Sequence, residues 1–88
     1  MTEQKELIEF PCDFPIKVMG AKNPEFASTI AELLKKFDPT FDEKTITIRD
    51  SSKGHYQGLN VVVHTTSREH LDNIYRALTS HPMVKVVL

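Results

Sequence analysis

The residues of this chain able to do chemistry gather in two short loops. Ser51-Ser52-Lys53-Gly54-His55-Tyr56 is the densest polar cluster. Backbone amides, two hydroxyls and an ammonium in so short a turn can hold a small anion in a nest. A plain hairpin turn explains the same composition, with Gly54 taking a positive φ at little cost. The glycine spacing is not that of a P-loop. The second loop, Gly20-Ala21-Lys22-Asn23-Pro24, leads into a helix. A helix N-terminus favours an anion, and Lys22 adds charge; a simple capped turn is the other account. Gly20, Lys22, Asn23, Ser52, Lys53, Gly54 and Tyr56 are therefore the candidate ligand-binding residues, for a small anionic metabolite.

Other chemistries lack their parts. His55, His64, His70 and His81 show no metal-ligand spacing with one another or with Cys12, so no metal is expected. Cys12 is the single cysteine, which excludes an intrachain disulfide and a paired-cysteine redox or zinc motif. Copper carriage on a small α+β domain would want paired cysteines where this chain has Met19-Gly20-Ala21. Acylphosphatase-like hydrolysis would want an arginine in the loop that holds only Lys22. No nucleophile–base pair is visible, so no catalytic residue is assigned, no cofactor is expected, and the reading is not an enzyme.

Composition narrows the partners. Eleven basic residues against twelve acidic leave a net charge of −1 over 88 residues, without the basic excess usual in nucleic-acid binders. No apolar run approaches the roughly 18 residues that span a bilayer. Glu3, Lys5, Glu6 and Glu9 interrupt the N-terminal stretch where a signal peptide would carry its apolar core. A cytoplasmic protein with no nucleic-acid or membrane partner is expected, and the lone cysteine suits a reducing compartment.

The elements that must position these loops are legible from hydrophobic period. Residues 1–13 read as an N-terminal extension and 14–88 as one domain. Phe10-Pro11 and Phe14-Pro15 favour extended backbone, with both phenylalanines docking on the domain. Ile16 and Val18 alternate with Lys17 and Met19 in a first strand that stops at Gly20. Asn23 caps a helix that starts at Pro24 and carries Phe26, Ile30, Leu33, Leu34 and Phe37 on one stripe. Asp38-Pro39 ends it. Thr45 to Arg49 alternates as strand two, and Tyr56 to about Thr65 as strand three, where Gly58 suggests a bulge or a close backbone approach. Thr66 and Glu69 match a capping box for a second helix with Leu71, Ile74, Tyr75 and Leu78 inward. Val84, Val86 and Leu88 form the inward side of strand four.

This order, βαββαβ, predicts an α+β ferredoxin-like sandwich: a four-stranded antiparallel sheet, order 4-1-3-2, with two helices on one face. The other face is predicted to carry Lys17, Met19, Thr45, Thr47, Arg49, Asn60, Val62, His64, Met83, Lys85 and Val87, with no strand carboxylate. Lys17, Met19, Arg49, Val62, His64 and Lys85 are the candidate interaction surface, for a homodimer or another protein. RNA readout is disfavoured, because the central strands hold no outward aromatic at the stacking positions.

Phe10-Pro11, Phe14, Lys17-Val18-Met19-Gly20, Ser51-Ser52-Lys53-Gly54 with Tyr56, and Val84 to Leu88 together resemble the YbeD-like family of small bacterial proteins of unknown function. The resemblance covers nearly the whole chain and implies a fold similar to ACT regulatory domains. Those domains bind an amino acid near the turn that here is Gly20 to Pro24. The expectation is a non-enzymatic, ACT-like regulatory module that binds a small metabolite or a protein. The alternative is a protein-binding adaptor that uses the open sheet face without a ligand.

Overall fold

The computed structural model describes residues 9–50 and 54–88. Its elements are β1 (Cys12–Ala21), α1 (Phe26–Lys35), a 3-10 turn (Glu43–Thr45), β2 (Thr47–Asp50), β3 (Tyr56–Thr65), α2 (Arg68–Thr79) and β4 (Val84–Val87). The strands form one antiparallel sheet in the order β2-β3-β1-β4, which is the expected order read from the other edge. Among the described residues no helix is long and apolar enough to cross a membrane.

The first strand is far longer than Ile16–Met19. All 10 residues of β1 pair with β3, from Cys12↔Thr65 to Ala21↔Tyr56, so the last two residues assigned to the extension belong to the sheet. Pro15 is tolerated because donor direction alternates along a strand. Lys17 donates toward β4, to the Leu88 carbonyl at 3.0 Å, so the missing N–H of Pro15 also faces the β4 side, beyond the last paired residue. Phe10 and Phe14 dock on the core as expected, the Phe14 ring edge-on to Tyr75 at 6.5 Å.

Both helices start later than the sequence suggests, because a side chain intercepts the backbone first. The Asn23 carboxamide accepts the Glu25 N–H at 2.8 Å, and this turn delays α1 to Phe26. The helix also stops at Lys35, ahead of Asp38-Pro39. In α2 the cap is Ser67, not Thr66: the Ser67 hydroxyl accepts the His70 N–H at 3.1 Å. The Thr66 N–H goes instead to His70 Nδ1, while His70 Nε2 donates to the Phe37 carbonyl at 2.8 Å and ties α2 to the turn that follows α1. Likewise Asp42 caps the 3-10 turn that takes up Thr45, leaving β2 to begin at Thr47.

The core lies between the sheet and the helices. Ile16, Val18, Leu59, Val61 and Val63 meet Phe26, Ile30, Leu34, Leu71, Ile74 and Leu78, all buried. Leu33 only flanks this cluster. The edge strands depart from expectation. Ile48 faces the helix side opposite Leu59, yet is 50% exposed because β2 is an edge strand. In β4 a register shift places Val84 opposite Gly20 and Val86 opposite Met19, so Lys85 is an extra residue. This bulge turns Val86 to the open face and Val87 to the core, the reverse of strict alternation.

Candidate functional site

The two loops singled out by their chemistry meet within one chain. Pairing of Ala21 with Tyr56 brings the β1–α1 turn beside the β2–β3 hairpin. The Lys22 N–H donates to the His55 carbonyl at 3.1 Å, and Lys22 Nζ stands 3.3 Å from Asp50. Gly54 takes φ +74°, as its turn requires. Ser51, Ser52 and Lys53 lie outside the described residues.

At the helix N-terminus the candidate groups already serve the fold. Asn23 spends its carboxamide oxygen on the Glu25 N–H, and Lys22 is paired with Asp50. Gly20 is buried, and a Cβ there would collide with the Met83 carbonyl oxygen and sit 2.8 Å from the Phe26 ring. Glycine is required for close approach of β4, not for a ligand. Gly20→Ala should destabilise by about 1–3 kcal/mol through overpacking, read as a lower urea midpoint; an unchanged midpoint would contradict this account.

The open face assembles most of the other candidates. Outward positions run Asp13, Pro15, Lys17 and Met19 on β1, and Tyr56, Gly58, Asn60, Val62 and His64 on β3. Thr47 and Arg49 continue these rows on β2, Val86 on β4, and Leu88 beside Lys17 through paired backbone hydrogen bonds. Lys85 sits in the bulge, outside the rows. A carboxylate does stand on this face, contrary to expectation: Asp13 Oδ1 lies 3.1 Å from His64 Nδ1. The signal for Asp13 and Pro15 was present as odd-number parity, hidden by starting the strand at Ile16. Nothing in the spacing marked Val86, because a bulge is a property of the pairing.

Charge divides this face. Asp13 and His64 hold one end, while Lys17 and Arg49 flank a depression at the other, where Gly58 is the floor and Met19 and Leu88 are apolar walls. Neither Lys17 nor Arg49 has an ion-pair partner among the described residues. The exposed large apolar side chains described on this face are Tyr56 (50% exposed), Val62 (51%), Val86 (45%) and Leu88 (66%). Among the described residues no group of three or more His, Cys, Asp or Glu is placed to hold a metal ion.

Comparison with known proteins places this architecture. Residues 5–88 match the family model described as "Protein of unknown function (DUF493)". A UPF0250 protein of Paraburkholderia phymatum is 60% identical over 84 residues, covering 96% of this chain and 94% of the relative. A UPF0250 protein of Neisseria meningitidis serogroup C is 55% identical over 91 residues, covering both chains in full. The solution structure of protein HP0495 from H. pylori superimposes with a TM-score of 0.77 over 92% of this chain and 85% of that one. At 20% identity that likeness speaks for the ferredoxin-like fold alone.

Proposed function

The chain belongs to the DUF493 (UPF0250) family of bacterial proteins of unknown function, and on that premise we propose that it is a non-enzymatic, ACT-like binding module acting through the open face of its sheet. One observation carries this reading. Val62, Val86 and Leu88 are large apolar side chains, each at least 45% exposed, on one face beside Lys17 and Met19. A core of apolar side chains rimmed by charge is the anatomy of a docking surface. The two helices cover the central strands on the opposite face, so the open face is the side left for a partner.

The regulatory variant of the reading needs a ligand, and the docking variant needs only a protein. The docking variant is favoured because Lys22 and Asn23 are already engaged within the chain. Val62→Glu tests it. A carboxylate placed within this apolar patch should weaken self-association or capture of a purified partner by at least about tenfold, the scale of a hot-spot loss. Val62 is exposed, so thermal unfolding should hold within a few degrees. Sedimentation across a concentration series reads the first, and calorimetry the second. Association unaltered in a folded variant would remove this surface from consideration.

A further inference from the structure

We propose that the hollow over Gly58 is a binding site for a small monocarboxylate with a compact apolar body. The inference rests on the reading of the open face as the working surface and names a ligand for one part of it. Glycine in a strand interior weakens the strand and usually answers a bulge or a close backbone approach. Neither is present at Gly58. Its pairing with Met19 on one side and Arg49 on the other is regular, and positive φ among the described glycines occurs at Gly54 alone. A Cβ built on Gly58 would meet nothing nearer than the Arg49 carbonyl oxygen at 3.8 Å and Met19 Cγ at 3.9 Å. The fold would accept a side chain here without complaint.

What the missing side chain leaves is space. The hollow holds about 250 Å³, bounded by Met19, Arg49, Tyr56, Lys17, Asn60 and Leu88. At about 30 Å³ per water-sized group, that admits roughly eight heavy atoms. Its charge is unbalanced. Asp50 stands on the rim, but Lys22 is 3.3 Å from that carboxylate and offsets it. Lys17 and Arg49 are left facing the space with no ion-pair partner among the described residues. A guanidinium fork is matched by a carboxylate, and the Asn60 carboxamide can donate a further hydrogen bond. Met19 and Leu88 offer the apolar walls. An amino acid fits less well, since its ammonium would meet two cations while Asp50 is already paired.

The test is an amide NMR titration of the full chain with benzoate, against benzamide as the neutral isostere. Benzoate should give saturable shifts at Met19, Arg49, Gly58 and Asn60, and benzamide should bind at least about tenfold more weakly, the loss of one charge-assisted hydrogen bond. Gly58→Val, which fills the hollow with a good strand former, should abolish the shifts while the spectrum stays dispersed. Arg49→Gln, at an exposed edge position, should weaken benzoate about tenfold and covers the case in which Gly58→Val does not fold. The proposal is overturned by unsaturable shifts, by benzamide binding as well as benzoate, or by benzoate binding that survives both substitutions. It is also overturned if a blocked peptide of alternating glutamate and phenylalanine saturates the hollow while benzoate does not, which would assign it to a protein side chain. A hollow silent to benzoate alongside association lost in Val62→Glu removes the carboxylate alone and leaves the docking surface standing.

Discussion

Phe26→Ala should destabilise the protein by about 3–5 kcal/mol, the cost of emptying a fully buried aromatic site. Phe26 opens α1, is 0% exposed, and its ring lies where a Cβ on Gly20 would fall. The ring therefore packs where α1, β1 and the residue that leads into β4 meet. Truncation removes apolar contact from all three, and the backbone around Gly20 is too constrained by the Met83 carbonyl to close the void. For a chain of this length a total stability of about 4–13 kcal/mol is expected, so the loss is a large share of it. Urea unfolding of the variant and of Phe26→Leu should separate the two, with leucine recovering most of the deficit. A loss below about 1 kcal/mol would mean that the site collapses, and would refute this packing account.

Asp38→Ala should cost about 1–3 kcal/mol, from charge-assisted hydrogen bonds lost by two part-exposed backbone donors that water replaces only in part. β3 runs on past the end of β2, and there the His64 N–H has no strand beside it. Asp38, buried at 6% exposure, supplies the acceptor: Oδ2 takes the His64 N–H at 3.0 Å, and Oδ1 takes the Thr40 N–H at 3.0 Å together with the Thr40 hydroxyl. Asp38→Asn should recover only part of this, because an amide must turn its NH₂ toward one of these donors. Burial alone would push the Asp38 carboxyl up. The bonds from the Thr40 hydroxyl, the His64 N–H and the Thr40 N–H, with the nearby His64 imidazole, outweigh it and hold the carboxyl below its ordinary value of 3.8.

The pH dependence follows in sign. A carboxyl depressed in the folded state contributes stability that is fully present above its unfolded value and is lost as pH falls through the folded one. The gap between the protein and Asp38→Ala should therefore be full at pH 7 and begin to close only below about pH 4. Urea midpoints at pH 7, 4 and 3 measure it. A gap that is unchanged at pH 3, or an asparagine variant as stable as the protein, would show that the carboxylate is not what holds this end of the sheet.

Hydrophobic period by itself determined the element order, the strand order and the centre of the core. Ile16, Val18, Leu59, Val61 and Val63 alternate strictly because β1 and β3 are the central strands, covered on one side by both helices, so selection by burial acts on every second residue. The same parity put Lys17, Met19, Val62 and His64 together on the open face, with Arg49 one strand away. At the edges that signal loses its cause. Ile48 keeps its parity but not its burial, and the β4 bulge exchanges Val86 with Val87 without any mark in a run of valines. Cap positions slipped because Asn23 and Ser67 compete for backbone donors at a range of two or three residues, which composition does not resolve. The tertiary structure alone decided the pairings of Lys22 with Asp50 and of Asp38 with the His64 amide, and the hollow over Gly58. Each depends on which strand lies beside which and in what register, and local propensity carries no information about a partner tens of residues away.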